Sequence, residues 1–535
     1  MRLLHARDGR RRDGVDRTEG RPGRARRGAR GARRPLLPLH RLREDRRRRD
    51  GRVARPDRGA RGRAGDRRGS ARDDPREPGV KAVGARLPRY DGLGHVTGRT
   101  QFVDDVRVGR TLWVKALRSP HHHAAITSME TSKAEKLKGV HAIVTCADVP
   151  KNVYGHLEAL GVPADEPLLA DGEVRYKGQP IAAVAAESEE AARAAVEAIE
   201  ISFEEREPLF DIRKALDGEA PQIHQWGNVY PHYGPYNHRR VRKGDIEWAF
   251  ENADAIVEGV YRPQAIEQMP METQVALAVP EASGRLTIYS CTQAMYFSMG
   301  VVAAHLQVPL NKLKFIGGTV GGGFGGKVDT AADTVCALLA LKSRRPVKWR
   351  WTREEEFLAS STRAPWHIEI ADAVTNDGWI LGRRMLTLHD SGAYSRFSPY
   401  GVTKHAFHHT GAYTIPNLRF DGFVVYTNRV PTTAMRGFGV TSVSFAVETH
   451  LTRVAHAIGM DPWQLRLKNA NRIGDTSGNG VAMKDPSTVP VTLAAAERVG
   501  VELPAEFRQM TPEPRSGDLL PEHLREQQRL NGEDS

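Results

Sequence analysis

The chain has 535 residues, with 79 Lys+Arg against 65 Asp+Glu and a formal net charge of +14. The excess is local: residues 1–80 hold 28 arginines and 12 acids, a net +16, and the remainder, with 51 basic and 53 acidic residues, carries −2. A near-neutral body of this length excludes a small disulfide-stapled domain and a wholly disordered protein, and it can bury two or more cores.

The head, residues 1–84, contains no Lys, Ile, Phe, Tyr, Trp, Asn, Gln or Cys before position 81. An arginine-rich arm is one form of nucleic-acid binder, because guanidinium groups pair with phosphates. This vocabulary of Arg, Gly, Ala, Pro and Asp instead suits GC-rich DNA translated out of frame. Pro38 to Asp45 (PLHRLRED) has codons that, shifted, read Cys-Arg-Cys-Thr-Gly-Tyr-Glu-Lys-Ile, which resembles the cysteine signature of a 2Fe-2S domain. The expectation is a disordered head that is the frame-shifted remnant of such a domain.

From residue 85 the pattern changes. "TLWVKALRS" (111–119) and "GVHAIVTCADVP" (139–150) read as strands, and "GQPIAAVAAESEEAARAAVEAIEISFEE" (178–205) as strand, helix and strand. Ser188 is placed to cap that helix, Glu189 and Glu190 favour its first turn, and Val196 with Ile199 form an apolar stripe. Residues 85–212 thus read as a small α/β-type domain. Residues 213–240, rich in His and Tyr, read as a linker. A second, α+β domain is expected over 241–500. Its strands are "DAIVEGVYRP", "ETQVALAVP" and "RLTIYSCTQ", its first helices "SMGVVAAHLQ" and "DTAADTVCALLALKSRRP". "PVKWRWTREEEFLAS" (346–360) reads as strand, and the 367–394 stretch as strand about an Asn-Asp-Gly turn. Val443, Val447, Leu451, Val454 and Ile458 line one face of a helix over about 441–458, closed by Gly459. Residues 501–535 form a polar tail.

Cys146, Cys291 and Cys336 include no C-x-x-C pair and read as buried thiols in a reducing compartment. No apolar run approaches the ~18 residues of a membrane span, and no signal-peptide core follows Met1. A soluble, cytoplasmic chain is expected.

Residues 317–327, GGTVGGGFGGK, contain seven glycines, and a run that loses so much entropy on ordering implies close approach of backbone to a ligand. Gly321, Gly323 and Gly326 fit G-x-G-x-x-G, and Gly321 to Lys327 fit G-x-x-x-x-G-K. A phosphate-binding NTPase loop needs Ser or Thr next, to ligate magnesium, and the chain has Val328. A dinucleotide site needs an acid about 20 residues on. Asp329 is too near, and "LKSRRPVKW" offers none. A nucleotide-binding protein and a nucleic-acid-binding protein therefore stand as the alternatives.

The loop GGGFGGK, the upstream Thr292-Gln293 and the downstream AMRGFG (434–439), with "RYKGQPIAAV" (175–184), "METQVALAV" (271–279) and "GAYTIPNLR" (411–419), together resemble the molybdenum hydroxylases. This family includes the large subunits of xanthine dehydrogenase, aldehyde oxidase and carbon monoxide dehydrogenase. The resemblance covers about residues 85–500. It implies an a/b hammerhead domain over 85–212, followed by the first molybdopterin-binding domain. The implied cofactor is molybdenum on a pyranopterin, as the cytosine dinucleotide. Gln293 would bond a molybdenum oxygen, Gly323, Phe324 and Gly325 would pass beneath the metal, and Arg436 would sit beside it through its backbone. Val328, Lys404, Met435 and Phe438 would line the substrate pocket, with Phe438 stacking on a flat substrate. Purine-oxidising members carry Glu at the position of Val328 and Arg at that of Lys404, and the copper-type carbon monoxide enzymes carry Cys near Gly437. An aldehyde or aromatic heterocycle is therefore the expected substrate. His405, His408 and His409 read as a partly exposed polar segment and not as a metal site.

By the same resemblance the reaction is hydroxylation with oxygen from water. A glutamate removes the substrate proton, and electrons leave through 2Fe-2S clusters to FAD on partner domains or subunits. The glutamate is expected beyond residue 500, and Glu502, Glu506 and Glu513 have no motif around them. The catalytic residue is thus unknown. Residues 501–535 read as the incomplete start of a second molybdopterin-binding domain, in a chain truncated and inactive alone. A separately encoded second half is the third alternative, and the assembled enzyme is expected to dimerise.

Overall fold

The computed structural model describes residues 88–155, 158, 164–231, 238–329 and 331–515. The arginine-rich head, with its frame-shift and nucleic-acid readings, lies outside them, as do residues 516–535.

A seven-stranded sheet organises the first half of the molecule. Pro180–Ala186, every residue buried, pairs antiparallel with Val140–Val144 and Leu112–Arg118. The other edge of Leu112–Arg118 meets Val347–Arg350 in parallel, through Leu112 opposite Val347 and Trp113 opposite Lys348. The sheet continues through Val275–Pro280 and Leu286–Ser290 to Leu313–Gly317 at its edge. Strands from 85–212 and from 241–500 thus share one ladder of backbone hydrogen bonds. Helix Ala331–Ser343 buries every residue from Ala332 to Ala340, Asp333 and Thr334 among them, and its apolar residues pack into the core on this sheet.

A five-stranded sheet forms the second core, in the order Ala255–Tyr261, Trp366–Val374, Ile380–Gly392, Asn417–Tyr426, Arg239–Lys243. Helix Val440–Ala457 packs Val443, Val447, Leu451 and Val454 into it. Gly459 follows with φ +69°, the left-handed turn expected at a helix C-terminus. The Asn-Asp-Gly turn is present too, with Gly378 at φ +92°. The architecture is α+β, as expected.

Local chemistry explains the agreements and the departures. Ser188 accepts from the Ala191 amide and starts helix Glu189–Glu197. The 346–360 stretch is a strand only over Val347–Arg350. Thr352 and Glu355 then close a capping box that starts helix Arg353–Ala359, a signal the strand-like pattern hid. Residues 213–240 carry buried Ile223, His224, Asn228 and Tyr230. Beyond residue 500, Leu503 and Phe507 pack against Leu467, Val489 and Ala496. Cys291 and Cys336 are buried as expected, but Cys146 is only half-buried, beside Asp171 at a turn. No described helix is long and apolar enough to cross a membrane.

Candidate active site around the glycine loop

The edge strand Leu313–Gly317 delivers the chain into the glycine loop, whose crest is Phe324 at φ +51°, 45% exposed. A left-handed phenylalanine is costly and persists only where its surroundings over-determine it. Here they do. Gln293 Oε1 accepts from the Gly325 amide (2.8 Å) and the Lys327 amide (3.3 Å), and the Gln293 amide donates to the Lys327 carbonyl (2.8 Å). The Gly326 amide donates to the Gly323 carbonyl (2.8 Å), and the Arg436 amide to the Phe324 carbonyl (2.8 Å).

The glycines are needed for contact as much as for torsion. A Cβ on Gly323 would lie 2.5 Å from Gln293 Cδ, and one on Gly325, at φ +102°, would lie 2.6 Å from the Ala434 carbonyl carbon. The loop, Gln293 and the Ala434–Arg436 segment are therefore one assembly. Gln268 Nε2 adds a bond to the Ala434 carbonyl (2.9 Å), and Gln274 Nε2 one to the Gly326 carbonyl (3.0 Å). Among the described residues, no acceptor is assigned to the amides of Gly322, Gly323 and Phe324, nor to the Gln293 carboxamide NH₂. The result is a cluster of donors on a rigid backbone, exposed at Phe324 and Gln293 and half-buried or buried at Gly322 and Gly323, which fits an oxygen-rich, anionic ligand.

Lys327, the residue that gave the phosphate-loop match, is unavailable to a nucleotide. It is 0% exposed, and its Nζ lies 2.6 Å from Glu272 Oε2.

Of the four expected substrate-pocket residues, two form a wall. Phe438 lies against Tyr400 (ring centroids 6.0 Å apart), and Lys404 Nζ sits 4.9 Å over the Tyr400 ring. Met435 is half-buried between Ala434 and Arg436, at the contact with Gly325. Val328 is half-buried at the loop's exit, beside Asp329. The histidine segment differs from expectation. His405 and His409 are fully buried, His405 stacked 3.5 Å from the Trp366 ring and bonded to Ser442 Oγ (3.0 Å). Burial holds His405 well below the usual imidazole range and His409 at about 4, so both are neutral core residues. Their spacing of four, His405 within helix Ser398–His408 and His409 at its C-terminal cap, is the signal that places them on one helix face.

Asp329 fixes the loop's exit by its ion pair with Arg396, a buried residue at φ +38°. Asp165, next to Arg396's other partner Glu166, is lifted by burial to about 7, although the Ser395 amide (2.7 Å) and Tyr426 hydroxyl (2.8 Å) donate to it. Glu272 and Gln274 lie in a stretch that the sequence singles out without giving either a role, and no local pattern points to Arg396 or Gln268.

Comparison with known proteins gives the same picture from another direction. Residues 229–470 match the family described as molybdopterin cofactor-binding domain, and residues 97–207 match the aldehyde oxidase and xanthine dehydrogenase a/b hammerhead domain. The chain is 37% identical over 424 residues to a probable xanthine dehydrogenase subunit of Bacillus subtilis, covering 77% of this chain and 55% of that one. It is 33% identical over 424 residues to the nicotinate dehydrogenase large molybdopterin subunit of Eubacterium barkeri, covering 79% of this chain and 97% of that one. The aldehyde oxidoreductase structure from Desulfovibrio gigas superimposes with a TM-score of 0.72 at 30% identity, over 78% of this chain and 47% of that one. The chain thus spans about half of two of these relatives and nearly all of the third.

Proposed function

The chain belongs to the molybdopterin-binding subunits of the xanthine dehydrogenase and aldehyde oxidoreductase family, and from that premise we propose how its loop assembly works. The free amides of Gly322, Gly323 and Phe324 and the Gln293 carboxamide would hold the molybdenum–pyranopterin, with the Arg436 backbone, tied to the Phe324 carbonyl, beside it. The observation that carries this is the cluster of unaccepted donors around Phe324, between Gly323 and Gly325, where an added Cβ would run into Gln293 and Ala434. When bound, the group supplies a two-electron centre for hydroxylating an electron-poor carbon with oxygen from water. Gln293 orients it by donating from Nε2, since its Oε1 is committed to the loop.

The substrate class is an aldehyde or an aromatic heterocycle. The Phe438–Tyr400 wall offers a face for a flat ring, with Val328, Met435 and Lys404 completing the pocket. Lys404 brings a single ammonium where a guanidinium fork would hold a purine in two places. We assign no proton-removing glutamate among the described residues. The cofactor is the cytosine dinucleotide form, and electrons pass to 2Fe-2S and FAD partners. A relative covered almost end to end is itself named a subunit. This supports a chain that functions beside a second polypeptide completing the site, in a dimer of the assembled enzyme. Three free thiols suit a reducing cytoplasm.

The test is to purify the chain with and without its co-expressed neighbours. Bound molybdenum is measured by mass spectrometry, the nucleotide released by acid is identified, and dye-linked oxidation of aldehydes and heteroaromatics is followed. Molybdenum with cytidine nucleotide and turnover only in the assembly are expected. An assembly without molybdenum overturns the assignment, and robust turnover by the isolated chain overturns the need for a second polypeptide.

A further inference from the structure

We propose that Glu272 is a positioning residue that latches the glycine loop shut, joining its first residue to its last. One carboxylate oxygen, Oε2, accepts both the Gly321 amide (2.8 Å) and the Lys327 ammonium (2.6 Å), while the Glu272 amide donates to the Gly321 carbonyl (3.1 Å). The two ends of a seven-residue loop are thereby drawn to one atom, and Phe324 is pushed up as its crest. The contact is close at the base of the side chain as well, because a Cβ on Gly321 would lie 2.5 Å from Glu272 Cβ. Lys327 belongs to this latch and not to a ligand. It is fully buried, and Glu356, whose carboxyl burial raises and Lys327 opposes, adds a second acid near the ammonium. A flexible glycine segment presents donors usefully only if its ends are fixed, and this pair fixes them. The inference rests on the proposed cofactor role of the crest for its functional meaning, but the latch itself is a property of the protein without cofactor.

The experiment uses the full chain and three variants, Glu272→Gln, Lys327→Met and the pair combined. Hydrogen–deuterium exchange in the cofactor-free chain is expected to quicken by roughly tenfold at 321–327 in each single variant, with helix Ala331–Ser343 unchanged. Molybdenum per chain in the assembled protein falls in parallel. The combined variant removes the buried charge but not the need for a latch, so its loop stays fast. If the combined variant restores slow exchange and full molybdenum, the pair is only a neutralised buried charge and the proposal fails. Unchanged exchange in Glu272→Gln also overturns it. Faster exchange in a chain that never carries molybdenum keeps the latch and sinks the cofactor reading instead. Should Lys327→Met misfold, Lys327→Arg, which keeps the charge, is expected to retain slow exchange where Glu272→Gln does not.

Discussion

Arg396 and Glu166, 230 positions apart, meet in a forked ion pair, with Arg396 Nη2 2.7 Å and Nε 2.9 Å from the two carboxylate oxygens. The remaining arm of the guanidinium holds Asp329 at 2.6 Å, two residues past Lys327. One buried cation therefore ties the segment around residue 166 to the exit of the glycine loop.

Replacing that cation strips the buried Glu166 and the half-buried Asp329 of their shared partner. Arg396→Leu is expected to lower stability by about 3–5 kcal/mol, the usual cost of stripping one partner from a buried pair. Arg396→Lys recovers only part of this, because an ammonium cannot bond both oxygens of Glu166 and reach Asp329 together. Denaturant unfolding of the three proteins measures the order.

Gly325→Ala forces a side chain into the Ala434 carbonyl at a positive φ. It is expected to abolish molybdenum binding and to destabilise the fold by roughly 1–3 kcal/mol. Gly109→Ala, where a Cβ meets nothing within 4 Å, is the control and keeps both. Metal analysis and thermal melts on the same preparations decide.

Asp333, in the first turn of helix Ala331–Ser343, is lifted by burial from 3.8 to about 7, against the Ser290 hydroxyl bond (3.0 Å). Between those values the folded chain holds a proton the unfolded chain has lost. Its contribution to stability is therefore complete below the unfolded value and disappears as pH rises through the folded one. Asp333→Asn is expected to match the parent near pH 4 and to exceed it at pH 8 by on the order of a few kcal/mol. Urea midpoints across that range check the sign.

Phe438→Ala removes half of the aromatic wall. In the assembled enzyme, KM for a heteroaromatic substrate is expected to rise about three- to tenfold, the worth of one aromatic contact, while KM for a small aliphatic aldehyde moves less. A larger loss on the aldehyde would reassign Phe438 to the core.

Much of this was legible from residue order alone. Glycine spacing marked the loop and an apolar stripe over about 441–458 marked a helix, because each is a local consequence of turn or helix geometry, whereas Gln293 and AMRGFG stood out only through the family resemblance. Three features were not legible. The Lys327–Glu272 pair joins residues 55 apart, and a lysine after glycines looks the same whether it meets phosphate or carboxylate. The helix at Arg353–Ala359 was hidden by strand-like "VKWRW", although Thr352 and Glu355 announced it. The burial of His405 depends on Trp366 and on Ser442 of helix Val440–Ala457, and His409 packs against Phe420, partners that no short window contains.

The parallel pairing of Leu112–Arg118 with Val347–Arg350 has a practical meaning for anyone dividing the gene. A cut near residue 210 does not release two finished modules. It leaves one fragment with the unsatisfied flank of Leu112–Arg118 and the other with that of Val347–Arg350, raw borders of the kind that recruit neighbours and precipitate. Expression of either piece should give inclusion bodies unless the other is made alongside it.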